Sequence, residues 1–305
     1  MTSKLLIAVL LFVVAPGHAP AGEDLRVVDD ADRVVELQSH ATRVAVVAPF
    51  GNDLLARLGV EPVAAPTLPG GVNAWPEHWE RTVPLRVTHA AGPSLEQLVA
   101  CAPDLVLSTS AYAHAHDTIE RVLGVPVVTL DTVSLDDFPR HLETLGVLLG
   151  REEEAASAAR TYRETLAAAL ASEPSGGARK TRVLAIFGGA RSFYGFLPDS
   201  YVGSVLEALG CELTTGGLDS HAVFTELTPL SLEHALASDP DVVLVLGHGQ
   251  SAQTARTILN DRAWGALRAV REGRVVGLPD ELFVTRPGTE PERAVSSVRA
   301  AIEAD

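Results

Sequence analysis

One phrase occurs twice in this chain. Residues 94–107 read S-L-E-Q-L-V-A-C-A-P-D-L-V-L, and residues 231–244 read S-L-E-H-A-L-A-S-D-P-D-V-V-L, identical at eight of fourteen positions at a constant offset of 137. Each copy reads as a short helix, a Pro-Asp turn and a buried strand. A weaker echo runs between L-L-A-R-L-G-V-E (54–61) and V-L-E-A-L-G-C-E (205–212). Repetition at half-chain distance predicts two lobes built on one plan. Two facing lobes enclose a cleft, a favoured place for a ligand.

Around the repeats, strands alternate with helices. Residues 25–37 alternate like an edge hairpin, and 43–49, 60–65, 104–109 and 125–130 read as strands. Helices are expected at 52–58 and 117–123, with an exposed segment at 111–116 and a long loop at 66–83. Residues 134–173 read as helix throughout, broken at Gly150, and E-P-S-G-G (173–177) ends them. The second half gives strands at 181–187, 241–246 and 274–278, helices at 201–209 and 254–270, and an aromatic loop at 188–198. The fold class is therefore α/β: two pseudo-equivalent Rossmann-like lobes with mostly parallel sheets, joined by a long rigid helix. The expected divisions are a signal peptide at 1–21, an N-terminal lobe at 22–133, a connecting helix at 134–175 and a C-terminal lobe at 176–305. In such sheets ligands sit beyond the carboxyl ends of the strands.

The N-terminus has a basic residue, Lys4, an apolar run from Leu5 to Ala15 and an A-P-A site at 19–21. That is the pattern of a secretory signal, and the run is too short to anchor the chain in a bilayer. No cysteine follows it, so a lipid-anchored form is not indicated. The expected location is the periplasm or extracytoplasmic space. Export permits disulfides, but the two cysteines, Cys101 and Cys211, fall in different lobes and read as separate thiols. A net charge of −15 argues against nucleic acid as a partner. No G-x-x-x-x-G-K-[ST], G-x-G-x-x-G or nucleophile-elbow motif is present, so nothing points to an enzyme.

Several phrases together resemble the substrate-binding proteins of ABC importers for iron complexes and vitamin B12, the helical-backbone class. They are G-P-S-L-E-Q-L-V-A-C-A-P-D-L-V-L (92–107), L-G-V-P-V-V-T-L (123–130) and L-L-G-R-E-E-E-A-A (148–156). Y-V-G-S-V-L-E-A-L-G (201–210), S-L-E-H-A-L-A-S-D-P-D-V-V-L-V (231–245) and A-V-R-E-G-R-V-V-G-L-P (269–279) complete the set. The resemblance covers the chain after residue 22. It implies two lobes that move little, a bulky chelate or corrinoid in a shallow cleft, no cofactor and no catalysis. It also implies a monomer that docks on a membrane permease through one acid per lobe. The matching positions here are Glu96 and Glu233, the same position of the two repeats. Read without the resemblance, both are solvated carboxylates favoured by the first turn of a helix.

The rim loops supply the candidate ligand contacts. They are Phe50, Trp75, His89, Tyr112 and His114 in the first lobe, and Arg191, Phe193, Tyr194, His221, Phe224, His248 and Arg286 in the second, with Trp79, Phe196 and Phe283 nearby. Flat aromatic walls suit a chelate or macrocycle. R-S-F-Y-G-F (191–196) concentrates three aromatics, of which at least one is expected to plug the core. The rim arginines, Arg191 and Arg286 with Arg81 less directly placed, are few for a multiply anionic catecholate chelate. The balance favours haem, a corrinoid or a hydroxamate-type complex. Histidines His89, His114, His116 and His248 are the candidates for direct metal ligation. They keep open a second reading, a receptor for free Zn²⁺ or Mn²⁺. His114 and His116 share a face only if their segment is extended.

Overall fold

The computed structural model describes residues 25–68, 72–73, 75–171, 180–222, 224–247 and 249–304. The expected signal peptide at 1–21 and His248 lie outside the described residues. The chain opens with an antiparallel hairpin, β1 (Leu25–Val28) and β2 (Val34–Leu37). The first lobe follows with β3 (Val44–Val46), α1 (Phe50–Arg57), β4 (Ala64–Leu68), β5 (Val72–Asn73) and β6 (Val83–Leu85). Next come β7 (Val87–Thr88), β8 (Gly92–Pro93), α2 (Leu95–Cys101), β9 (Leu105–Ser108), α3 (Ala113–Leu123) and β10 (Val127–Thr129). Two helices connect the lobes, α4 (Asp137–Leu149) and α5 (Glu152–Leu170). The second lobe begins with β11 (Arg182–Gly188), β12 (Phe193–Phe196), α6 (Tyr201–Ala208), β13 (Glu212–Leu213) and β14 (Leu227–Pro229). It ends with α7 (Leu232–Ser238), β15 (Val242–Leu246), α8 (Ser251–Leu259), α9 (Arg268–Arg271), β16 (Val275–Gly277) and α10 (Pro291–Glu303).

The duplication is visible in the topology. Strands run β10-β9-β3-β4 in one sheet and β16-β15-β11-β13 in the other, every neighbouring pair parallel. Within the repeated phrase, Ala102 and Asp239 occupy the same position and both adopt left-handed backbone, φ 44° and 37°, as helix caps before a proline. The aspartate that follows each proline has a structural task. Asp104 accepts the backbone N–H groups of Thr42 and Arg43, just ahead of β3. Asp241 accepts the N–H of Arg182, which opens β11, at 2.8 Å. Each copy thus satisfies an amide at the start of the neighbouring strand.

Side-chain alternation sorts the strands between layers. Val44, Val46, Leu105 and Leu107 face one core; Ala45, Val47 and Val106 face another. In the second sheet, Val183, Ala185, Val242 and Leu244 join the first of these cores, while Leu184, Ile186, Val243 and Val245 face a third. One hydrophobic core is therefore shared by a face of each sheet and by α4, α5 and α10. Burial on both faces explains why these strands read as continuous apolar runs.

Helix α5, 19 residues long, runs between the lobes, and α4 folds back on it. Gly150 makes the break with φ 63°, and the two helices approach at Gly146, where a Cβ would lie 2.6 Å from that of Ala155. Phe138 stacks on Tyr162 across the pair, with ring centroids 5.4 Å apart.

Three expectations are corrected. The aromatic loop at 188–198 contains a strand, β12, antiparallel to the end of β11. Its aromatic residues suit a pleated surface, and Gly188 allows the hairpin because any Cβ there would meet the Ser192 carbonyl at 2.7 Å. The helix expected at 254–270 is interrupted after α8. Asn260 turns back to the Arg256 carbonyl, and Asp261 accepts the Ala263 N–H at 2.7 Å, the local bonding by which these residues end helices. The segment 111–116 is helical, with a 3₁₀ turn at Ser110–Tyr112 leading into α3.

The two thiols are free, Cys101 half-buried and Cys211 buried, and burial pushes the Cys211 thiol up to about 11. The Asp241 carboxylate is the more demanding of the two repeat aspartates, since it is buried and also binds Arg268. Asp241→Ala should lower the unfolding free energy in urea by about 2–3 kcal/mol. A loss under about 0.5 kcal/mol, ordinary for a surface change, would contradict its role.

Candidate functional site

Loops beyond the strand ends and strand β12 bring five rings into one row. Tyr112 ends the turn after β9, and His89 lies between β7 and β8; their rings stack with centroids 5.8 Å apart. His89 meets Phe224 of the second lobe edge-on at 6.3 Å. Phe224 stacks on His221 at 5.5 Å, and His221 meets Tyr194 edge-on at 5.5 Å. The row therefore crosses from one lobe to the other at the His89–Phe224 contact. Each ring has a local reason for its place. Alternation along β12 puts Tyr194 and Phe196 on one face, against the shared core, and Phe193 on the other. His221 Nδ1 accepts the Phe224 N–H at 3.2 Å, which sets the two stacked rings in one turn. Burial pushes the Tyr112 phenol up, so it stays a neutral hydroxyl at physiological pH.

Carboxylates hold the strand ends. Asp131, just after β10, accepts both the N–H (2.9 Å) and the hydroxyl of Ser110, at the turn that carries Tyr112. Asp280, after β16, does the same for the second lobe, accepting Gly247 N–H at 2.6 Å, the Ser251 hydroxyl at 2.8 Å and the Gly249 N–H. The N–H of Asp131 in turn donates to Asp30 in the turn of the opening hairpin. Asp30 also accepts from Arg140 and from the fully buried His141, at 2.7 Å. Burial alone would raise the Asp30 carboxyl, but these hydrogen bonds and charges hold it well below the ordinary range. Glu226, two residues after Phe224, is half-buried, and its carboxyl is pushed up by burial and by the charge of Asp131. Burial also pushes Asp131 up, against the pull of Ser110.

The remaining candidates go elsewhere. Phe50 is buried at the start of α1, its ring 6.4 Å from that of His141. Trp75 packs partly buried on the shared core, and Trp79 is buried in it. Phe193 is buried against Trp264 at 5.1 Å, Phe196 against Phe187, and Phe283 against Tyr201. His114 and His116 are separated by the helix. His114 is exposed, whereas His116 is buried and shares a 2.9 Å hydrogen bond with the Ser108 hydroxyl. Burial and the charge of Arg33 push the His116 imidazole down. Arg191 is exposed at the tip of the β11–β12 hairpin. Arg81 pairs with Glu61 at 3.2 Å. Arg286 is claimed by Asp53 of the first lobe, with Nε 2.8 Å from the carboxylate. Burial pushes Asp53 up despite that partner. Glu96 and Glu233 are both exposed, each the second residue of its helix. Glu233's own backbone N–H and then the Ser231 hydroxyl hold its carboxyl low.

Sequence reasoning missed Asp131, Glu226 and Asp53. A signal for the first was present: V-V-T-L-D (127–131) and V-V-G-L-P-D (275–280) are a second repeated phrase, ending on the two strand-end acids. Among the described residues no three His, Cys, Asp or Glu side chains are grouped to hold a metal ion.

The Asp30 network predicts a pH dependence. A carboxyl depressed in the folded state adds stability above its unfolded value of about 3.9 and loses it as the pH falls toward the folded value. Asp30→Asn should therefore destabilise the protein fully above about pH 5, with the difference from wild type shrinking below about pH 4. Urea midpoints measured from pH 7 to pH 3 test this. A difference that stays constant across that range would contradict it.

The site's frame has known counterparts. A "Vitamin B12-binding protein" of Pectobacterium carotovorum is 28% identical over 137 residues, 44% of this chain and 44% of that protein, so the match spans under half of the relative's length. The "Fe(3+) dicitrate-binding periplasmic protein FecB" of Escherichia coli is 24% identical over 292 residues, 93% of this chain and 90% of that one. A solved ABC transporter substrate-binding protein from Listeria monocytogenes superposes with a TM-score of 0.74 at 18% identity, covering 88% of this chain and 100% of its own, which shows a shared fold. The family described as "Periplasmic binding protein" matches residues 44–282. With its duplicated sheets and its long interlobe helix, this chain belongs to the periplasmic binding protein family, whose members bind solutes and do not catalyse.

Proposed function

We propose that this protein is the extracytoplasmic receptor of an ABC importer. It holds an iron chelate, such as a siderophore complex or haem, or a corrinoid in the cleft between its lobes. It then delivers that cargo to a membrane permease. The observation that carries this reading is the ring row, with Tyr112 and His89 from one lobe meeting Phe224, His221 and Tyr194 from the other. Rings offer large contact area at low entropic cost and take a flat or macrocyclic complex by stacking. The vitamin B12 and ferric dicitrate named for the two relatives fall in the same classes of cargo. The free-ion reading finds less support: His114 and His116 diverge on α3, and His89 is engaged in stacking. Export would follow from the segment at 1–21.

A panel of haem, a corrinoid and ferric siderophores, each at 100 times its Kd, should raise stability by about 2.7 kcal/mol for the true cargo. Differential scanning fluorimetry reads the shift. Movement with Zn²⁺ or Mn²⁺ and with none of the complexes would overturn the reading.

Glu96 and Glu233 are the proposed permease contacts. They stand exposed at equivalent positions of the two repeats, one acid per lobe. Exposed ion pairs contribute only about 0–1 kcal/mol each, which suits a reversible dock governed by orientation and encounter. Glu96→Arg combined with Glu233→Arg should abolish uptake in a reconstituted transport assay while leaving cargo affinity unchanged. Lost affinity would contradict the docking assignment.

A further inference from the structure

The ring row is flanked by acid. Asp131 is fixed at the turn that carries Tyr112, and Glu226 lies two residues from Phe224 in the other lobe. Among the described residues neither has a cationic side-chain partner of its own: Asp131 is bound by Ser110, and the neighbouring Arg140 is spent on Asp30 and Asp137. The rim arginines do not offset them. Arg286 is held by Asp53 and Arg81 by Glu61, which leaves Arg191 at its exposed hairpin tip. Arg57, near the same seam, donates to the Thr289 carbonyl at 2.7 Å and lies over the Phe138 ring. One guanidinium cannot neutralise a trianion set against two carboxylates, and a half-buried setting screens such repulsion less than open water does.

We propose that Asp131 and Glu226 set the charge class of the cargo: the cleft takes a metal complex of zero or positive net charge and rejects polyanionic chelates. This rests on the receptor reading above and narrows it. The rings supply attraction that is indifferent to net charge; the acids supply the discrimination by making the wrong cargo repulsive. Specificity by exclusion needs no contact with the metal.

The test is titration calorimetry at low salt with three probes that differ in net charge. They are an uncharged cyanide-capped corrinoid, a monocationic ferric trihydroxamate and a trianionic ferric tris-catecholate. The full chain should bind the corrinoid or the cation at least about tenfold more tightly than the trianion. Glu226→Lys should improve the trianion relative to the uncharged probe by about tenfold or more and weaken the cation. The milder Glu226→Gln should move both in the same directions by less. The Glu226 backbone carbonyl, which accepts from Leu197 N–H, is untouched by either change. A trianion that binds wild type as tightly as the others would overturn the charge rule and leave the receptor standing. So would a trianion-to-uncharged ratio that Glu226→Lys does not move. If none of the three probes binds but haem does, whose two propionates leave it net anionic, the charge rule fails and the receptor reading stands; if haem also fails to bind, both fail.

Discussion

Both sheets bury one face against the same helices. That shared layer, α4, α5 and α10, is the constraint from which the rest of the structure follows. Leu107 and Val128 of one sheet, Ala185 and Leu244 of the other, and Leu142, Leu145, Tyr162 and Val295 of the helices belong to one continuous core. Hydrophobic burial is non-directional, so it holds the lobes together without specifying their angle. Polar contacts along the seam add the specification. Leu135 N–H donates to the Ser204 hydroxyl at 3.0 Å, Arg57 to the Thr289 carbonyl, and Arg286 to Asp53. Rotating one lobe would leave the half-buried Asp53 carboxylate without its partner, which costs more than the pair contributes when intact.

With the lobe angle fixed, the strand ends define where the two rims face each other. Parallel strands deliver their carboxyl ends to one side, and a strand-end acid in each lobe, Asp131 or Asp280, fastens the adjoining loop. The loops and β12 carry the rings. The repeated helices present Glu96 and Glu233 to solvent. On the proposed function, binding and docking would use different parts of the same duplicated unit.

Much of this was legible in the residues. The duplication, the α/β class, the parallel order and the break at Gly150 followed from periodicity and from one repeated phrase. Five of the proposed ligand residues meet in the ring row, four from loops and Tyr194 from β12. The candidates outside the row lie there for identifiable reasons. Phe193 and Tyr194 are adjacent in sequence and opposite in space, because their segment is a strand and not a loop. His114 and His116 diverge because α3 begins earlier than its apolar residues indicate. Arg286 looked available until Asp53, 233 positions away, claimed it. Pairings over such distances leave no local trace. The strand-end acids did leave one, in the second repeated phrase, which is short and interrupted by a proline.

A crystal structure of the protein with a bound metal complex is the most direct test of the central claim. The account places the complex between the lobes, in van der Waals contact with Tyr112, His89, Phe224, His221 and Tyr194, with the His89–Phe224 contact replaced by contacts to the cargo. A complex seated elsewhere, with the five rings still touching one another, would contradict it.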